Sequence, residues 1–392
     1  MSDAPVIVVG GGASGLSAAA ALKQKGIDSI VLEQDPQVGG TWARRYDRLH
    51  LHTVRGFSGL AHFGIPRRYP TYLSRDEFVA YLREYADHFR LNVVSGCEAT
   101  AIWSDPAKDR WKAATADGKT WKARAVVIAT GQYRRPVTPH WPGVDTYRGA
   151  LSHSVTYSNA APFTGKRVLV VGAGNSGAEI ATDIAENGAR FVAISIRTPP
   201  MIVPRDPFGM PVQRTSIMLS LLPVALSDRL GRFTARITLG DLTKYKIPRS
   251  AWGPYSAKRI PVIDVGFVSA VKRGLVQIRP ALESLTPTGA VYADGVEEPF
   301  DAIVAAIGFE TGLETLIEAD GLLNEAGEPV AAAGEPTSQP GLYFIGFVHS
   351  LRGHLFEANR ASRRLARNVF AYLTTADKST RSFAVVRSRY QI

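Results

Sequence analysis

A short β-branched strand that runs straight into G-x-G-x-x-G and an Ala-rich helix occurs twice in this chain, and that repetition constrains the fold more than any other feature. In the first copy, Val6–Val9 is followed by Gly10, Gly12 and Gly15 and then by a helical stretch to about Lys25. The second copy starts 162 residues later: Val168–Val171 leads into Gly172, Gly174 and Gly177, with a helix from Ala178 to about Asn187. A further echo follows each loop. Residues Ala116–Gly131 align without a gap to Ala293–Gly308, each reading as an Asp-Gly hairpin turn, a polar segment and a buried apolar strand that ends in Gly. Meander strands are expected before these turns, around Ile102 and Trp111 and around Val276 and Val291.

The glycines carry a definite chemistry. The first permits a tight turn, the second lets backbone approach a pyrophosphate, the third allows close helix packing, and the helix N-terminus offers oriented N–H groups to the phosphates. Glu33 closes the strand Ile30–Leu32, 18 residues after Gly15, where a carboxylate accepts hydrogen bonds from ribose hydroxyls, so this copy suits an unphosphorylated ribose, as in FAD or NAD. The second copy ends its second strand in Ser195-Ile-Arg197-Thr198, without the acid, and reads as an NADPH site in which a hydroxyl and a guanidinium meet the 2′-phosphate. Two dinucleotide sites in one chain pair a hydride donor with a hydride acceptor, so a flavin reduced by NADPH is the natural combination. The expected fold is α/β, with two Rossmann-like dinucleotide-binding domains, the second inserted in the first, each with a small β-meander. Residues 1–155 plus 295–392 form the FAD-binding domain; residues 156–294 form the NADPH-binding domain, with a lid-like insertion at about 205–260.

Composition narrows what the pair can do. One cysteine, Cys97, in 392 residues excludes a dithiol beside the flavin, a disulfide framework and a multi-cysteine metal site, and no metal site is expected. The net charge of +11 suits phosphorylated cofactors, acidic membranes or nucleic acid, but no nucleic-acid motif accompanies it. The row Arg360, Arg363, Arg364 and Arg367 reads as a solvated helix face. No secretory leader precedes the first strand, so a reducing, cytoplasmic location is the default. The apolar run Ile217–Leu226 is too short to span a membrane and is interrupted by Pro223; it is expected as a buried or lid-like helix. No transmembrane segment is expected, while peripheral membrane contact and a homodimer stay open.

The stretch Tyr147-Arg-Gly149-Ala-Leu-Ser-His153-Ser-Val-Thr-Tyr157, just ahead of the second glycine loop, resembles the F-x-G-x-x-x-H-x-x-x-Y/F fingerprint of class B flavin-containing monooxygenases. Supporting matches are Gly39-Gly-Thr-Trp42, Ala129-Thr-Gly131, Gly172-Ala-Gly-Asn-Ser-Gly177 and Gly341-Leu-Tyr-Phe-Ile-Gly346. The segments Tyr46-Asp-Arg-Leu-His-Leu-His52, 68–89, and Pro204–Pro211 to Pro261–Gly266 look most similar to YUCCA-type indole-3-pyruvate monooxygenases and their bacterial relatives. The chain departs from the Baeyer–Villiger pattern by carrying Tyr157-Ser158 in place of Trp-Pro. It also reads Ala306-Ile-Gly-Phe309 where the family has A-T-G-aromatic. The resemblance implies that NADPH reduces FAD, that O2 adds at flavin C4a, and that a dry cavity protects the adduct. It adds Ser14, Gly40, Thr41, Trp42, Thr130, Gly131 and Gly346 to the expected flavin contacts, and Asn175 and Ser176 to those of NADPH. His52, Asn175 and Arg55 are the expected catalytic residues of a flavin-facing pocket, with His349 and His354 as weaker candidates, and His153 is expected to serve as hinge and clamp. The implied substrate is an aromatic 2-keto acid such as indole-3-pyruvate or a soft nitrogen or sulfur atom; Arg55, Arg205 and Lys258 are candidates to hold a substrate carboxylate. An electron-transfer reductase, a Baeyer–Villiger-type enzyme and a non-catalytic NADPH sensor are the alternatives.

Overall fold

The computed structural model describes residues 4–105, 110–257, 259–318 and 320–389, with side chains through Thr375; Lys258 lies outside the described residues. Two parallel sheets grow from the two repeats. In the first, β1 (Ala4–Val9) lies between β2 (Ser29–Leu32) and β6 (Thr120–Ile128), β3 (Asn92–Val94) extends it beyond β2, and β19 (Leu342–Phe344) pairs with β6. Val6, Ile7 and Val8 are fully buried, because both faces of the sheet are covered and the strand reads as a continuous apolar run. β4 (Ala99–Asp105), β5 (Arg110–Thr115) and the first half of β6 form an antiparallel meander that contains Ile102 and Trp111.

The second sheet places β9 (Arg167–Val171) between β10 (Phe191–Ser195) and β17 (Ala302–Ala305), with β13 (Val276–Arg279) and β8 (Ala150–His153) at its edges, all parallel. Its meander is detached: β14 (Leu282–Thr286), β15 (Gly289–Tyr292) and β16 (Glu297–Pro299) form a separate antiparallel sheet. One expectation changes here. Val291 lies in the meander but Val276 does not; it occupies the parallel edge that β3 takes in the first copy, and Pro280, which has no N–H to offer a ladder, separates it from β14. The second sheet also draws on residues 150–153 and 302–305, outside the expected 156–294. One continuous strand of the first copy, β6, corresponds in the second to two strands, β16 and β17, with Pro299 ending β16.

Helices fix these sheets to one another. α1 (Ala13–Lys23) is buried from Ala13 to Leu22, and its small side chains let α9 (His354–Arg389) lie along it, with Ser362 Oγ 2.8 Å from Ser17 Oγ and Leu365 and Val369 sealed below. α2 (Gly40–Ala43) and α3 (Arg55–Ser58) are single turns; α4 (Arg75–His88) opens on a capping box in which Ser74 Oγ accepts from Glu77 N and Glu77 accepts from Ser74 N at 2.8 Å. α5 (Asn175–Glu186) and α8 (Phe267–Lys272) cover the second sheet. A two-residue pairing of β7 (Arg135–Pro136) with β18 (Phe309–Glu310) links the two halves. Between β11 (Ile202–Pro204) and β12 (Val262–Asp264), which pair in parallel, the chain forms α6 (Val212–Leu219) and α7 (Val224–Leu239). The run Ile217–Leu226 is therefore not a buried helix: α6 stops at Leu219, Pro223 begins the next helix, and Leu221 and Met218 are 86% and 67% exposed. Among the described residues no helix is long and apolar enough to cross a membrane.

The α1–α9 contact, with Leu365 fully buried in it, is one of the core clusters of the first half. Leu365→Ala should therefore cost about 2–5 kcal/mol in urea unfolding; a loss below about 0.5 kcal/mol would show that α9 is not an anchor.

Candidate active site

The two glycine loops have nearly the same geometry. Gly10 and Gly172 turn the chain at φ 104° and 107°, where a Cβ would lie 2.7 Å from Ala129 O and 2.4 Å from Ala306 O. A Cβ on Gly15 or Gly177 would lie 1.9 Å from the carbonyl oxygen of Gly10 or Gly172. Gly12 and Gly174, the N-caps of α1 and α5, behave differently. Both are extended, and a Cβ on either meets nothing within 4 Å. Neither helix has a side-chain cap, so each presents uncommitted backbone N–H groups to open space, which is the arrangement a pyrophosphate requires.

Around the first loop the polar groups also fit a flavin dinucleotide. Glu33, 6% exposed, accepts from Gly11 N at 2.5 Å and Asp35 N at 2.8 Å; burial pushes its carboxyl above the ordinary value while the two backbone donors oppose that shift. Thr130 Oγ1 and Gln132 Oε1 are buried without a protein partner. Ser14 Oγ lies 3.3 Å from Nε2 of His354, which burial keeps below its usual pKa, and a Cβ on Gly346 would come within 2.8 Å of Ser14 Oγ. Gly131, at φ 77°, opens on free space. Gly40, Thr41 and Trp42 are used differently: Thr41 Oγ1 donates to Asp35 Oδ2 at 3.2 Å, Trp42 packs edge-on against Phe78, and a Cβ on Gly40 would strike Asp35.

At the second loop, Ser195 is engaged by the protein itself. Its hydroxyl is 1% exposed, donates to Pro280 O at 2.7 Å and accepts from Leu282 N at 2.9 Å, so it holds the corner between β13 and β14 rather than facing a phosphate. Arg197 and Thr198 stand exposed at the end of β10. Ser176 begins α5 beside Asn175, whose amide donates to Pro261 O at 3.0 Å and whose Oδ1 accepts from Ile263 N at 2.8 Å. Asn175 thus braces the helix start to β12. Arg55 donates to the carbonyls of Arg67 and Tyr69. His52 Nε2 lies 2.7 Å from Glu179 Oε1. The expected trio of His52, Asn175 and Arg55 is not assembled into one hydrogen-bonded group.

What the 46–52 segment meets is a row of carboxylates on α5. Glu179, Asp183 and Glu186 fall at i, i+4 and i+7, on one helix face. Glu179 pairs with His52, Asp183 accepts from Tyr157 OH at 2.6 Å, and Glu186 pairs with Arg48 at 2.7 Å. Burial and the Glu179 charge push the phenol of Tyr46 well above its ordinary pKa. Both motif segments are therefore stapled to the helix that carries the second loop. None of the three acids stands in a recognisable motif; their i, i+4, i+7 spacing was the available signal. His153 bonds backbone through both ring nitrogens: Val155 N donates to its Nδ1 at 3.1 Å, which leaves Nε2–H to donate to Gly308 O at 3.2 Å, and burial holds the ring below its usual pKa.

One cation in this region has no anionic partner among the described residues. Arg45 is half-buried, its guanidinium lies 5.1 Å from the Phe309 ring centre, and burial lowers its pKa. It influences Tyr133 and His153 electrostatically, so it sits where the two halves meet. The other candidates for a carboxylate are committed: Arg205 to Asp206 at 3.0 Å, Arg55 to backbone. His349 pairs with Glu328 at 3.1 Å. A cavity of about 400 Å3 between the 56–64 segment and α9 is lined by none of the glycine-loop residues.

The open space at Gly12 yields a clean expectation. Gly12→Ala should fold with an unchanged thermal midpoint as apoprotein yet be purified without flavin, whereas Gly15→Ala should fail to fold stably. A yellow, fully loaded Gly12→Ala protein would remove this loop from the flavin site.

A family model described as pyridine nucleotide-disulphide oxidoreductase matches residues 7–205, just over half of the chain. The chain is 34% identical over 351 residues to indole-3-pyruvate monooxygenase YUCCA1 of Oryza sativa subsp. japonica, covering 87% of this chain and 86% of the relative. It is also 34% identical over 385 residues to YUCCA8 of Oryza sativa subsp. indica, covering 93% and 91%. A solved flavin-containing monooxygenase from Stenotrophomonas maltophilia superposes with a TM-score of 0.73 at 26% identity, over 95% of this chain and all of that one. With a single buried cysteine, Cys97, the disulphide chemistry in the family's description is not available here. The chain belongs to the flavin-containing monooxygenase family that includes the YUCCA-type indole-3-pyruvate monooxygenases.

Proposed function

We propose that this enzyme uses NADPH and O2 to oxidise an aromatic 2-keto acid of the indole-3-pyruvate kind. Its standing as an FAD-dependent monooxygenase that draws electrons from NADPH follows from its family. The substrate reading rests on one observation above others, the end-to-end similarity to indole-3-pyruvate monooxygenases. Arg45 supports it, because a half-buried guanidinium without an acid partner suits a carboxylate-bearing substrate. Oxygenation of soft nitrogen or sulfur atoms is the second reading, which the resemblance of Tyr147–Tyr157 to the class B flavin-containing monooxygenase fingerprint equally implies.

Bound FAD, once reduced, supplies the activation of O2; the residues of this chain hold, orient and seal. In our reading, two Rossmann-like units divide the chain at about 145 and 310, so that each keeps its whole sheet. Gly10, Gly12, Ser14 and Gly15 would receive the FAD pyrophosphate, Glu33 the ribose, and Thr130, Gly131, Gly346 and His354 the remainder. Gly172, Gly174, Ser176 and Gly177 would receive the NADPH pyrophosphate and Arg197 with Thr198 the 2′-phosphate, while Ser195 and Asn175 support from behind. The seam from Tyr46 to His52 along α5 sets the distance between the two nucleotides. With Glu179 as the acceptor, His52 donates through Nε2.

Two measurements test this reading. Arg197→Ala should raise KM for NADPH about 10- to 100-fold and leave KM for NADH nearly unchanged, because the lost charge-assisted contact exists only with the phosphate; equal effects would remove Arg197 from the site. NADPH oxidation and product mass should be followed with indole-3-pyruvate, phenylpyruvate, a thioether and a tertiary amine. Keto-acid turnover is expected, with KM raised about 10-fold or more in Arg45→Met for the acids alone. Sulfoxide or N-oxide formation without keto-acid turnover would overturn the substrate assignment.

A further inference from the structure

Eleven of the sixteen large apolar side chains exposed among the described residues fall between Phe208 and Tyr245. On α7 they are ordered. Leu226, Leu230, Phe233 and Ile237 follow i, i+4, i+7 and i+11, which at 100° per residue confines them to an arc of about 60°. They are 43%, 36%, 62% and 55% exposed, while Asp228, Ala235 and Leu239 on the opposite side face the body. The α6–α7 turn extends the same surface with Met218, Leu221, Leu222 and Val224. An amphipathic helix normally turns its apolar stripe inward. Here the body takes a narrow inner face and a second apolar stripe is left outside.

Charge accompanies the stripe. Arg229, Arg232 and Arg236 form a row along one flank of it, exposed and without a salt bridge among the described residues. Residues 205–260 contain ten Lys and Arg against three Asp, seven of the chain's eleven surplus positive charges. All three acids are occupied locally. Asp206 bonds Arg205 and Tyr72, Asp228 accepts from Tyr255 N at 2.7 Å, and Asp241 accepts from Thr243.

We propose that α6 and α7 dock on an anionic lipid surface, with α7 lying in the interfacial plane, its apolar stripe among the acyl-chain boundary and its arginines against the headgroups. Apolar burial and electrostatic attraction are both needed for such binding, and this element supplies both on adjacent faces. A second copy of this chain fits less well, because it would set one arginine row against another. The docking element begins and ends at β11 and β12, and Asn175 ties β12 to the start of α5. Lipid contact is thereby placed one hydrogen-bonded step from the second glycine loop. The proposal does not depend on which substrate the enzyme oxidises.

The test is co-sedimentation of the full-length, flavin-loaded protein with phosphatidylcholine vesicles, with and without phosphatidylglycerol. Binding is expected to the anionic vesicles at low ionic strength and to be largely lost at about 0.5 M salt. Leu226→Asp with Phe233→Asp should abolish it. Arg229→Gln with Arg232→Gln and Arg236→Gln should weaken partitioning by about two orders of magnitude. Thermal midpoint and flavin content report that each variant is folded, and the arginine variant leaves packing untouched. Wild-type protein that stays in the supernatant with anionic vesicles, or variants that all sediment as wild type does, would overturn the proposal. So would sedimentation velocity without lipid showing a dimer that Leu226→Asp with Phe233→Asp converts to monomer, in a protein that binds no vesicles; that result would assign the face to a second copy.

Discussion

Everything downstream of the two nucleotide loops depends on how closely a helix can start beside the strand that precedes it. At Gly15 and at Gly177 the carbonyl oxygen of the loop's first glycine lies 1.9 Å from where a Cβ would be, a separation no other residue tolerates. That contact aims the uncapped N-termini of α1 and α5 at the ends of β1 and β9. It also buries α1 so deeply that its side chains must be small, and only then can α9 lie against it and bring His354 to Ser14. The same constraint, met twice, produces two glycine loops of nearly equal shape with different side chains at their rims.

The rims are joined by a polar seam. Burying carboxylates is costly unless each is paired, and the buried Glu179 and Asp183 find partners in His52 and Tyr157, while the more exposed Glu186 pairs with Arg48; the partners come from two segments that both precede the second repeat. Removing one partner leaves its charge exposed to the full desolvation penalty, so the seam resists sliding of α5 along the 46–52 segment. Asn175 extends the connection to β12, and His153 uses both ring nitrogens on backbone groups. His52, His153 and Asn175 thus each hydrogen-bond a group from a distant segment of the chain.

Legibility followed locality. The glycine turns and the Asp-Gly hairpins were readable because each is demanded by a geometry within a few residues of itself. Val276 was misplaced because an apolar edge strand and a meander strand have the same composition, and only Pro280 marks the change. Ser195 carried the right residue type for a phosphate, but its hydroxyl satisfies the chain 85 residues downstream. The acids of α5 stand in no motif, and their partners lie as far as 138 residues away in sequence. For Ile217–Leu226, hydrophobicity implied burial, whereas Pro223 splits the run and the core takes up only the opposite side of α7.

The central claim is that two dinucleotides held by one rigid seam deliver electrons from NADPH to O2 and then one oxygen atom to an organic substrate. Turnover with isotopically heavy O2 tests it most directly, with NADPH consumption, product mass and hydrogen peroxide followed together. One heavy oxygen atom per product, one NADPH per product and little peroxide are the expected result. NADPH consumed with only hydrogen peroxide formed, or electrons passed to a quinone while no substrate gains oxygen, would contradict it.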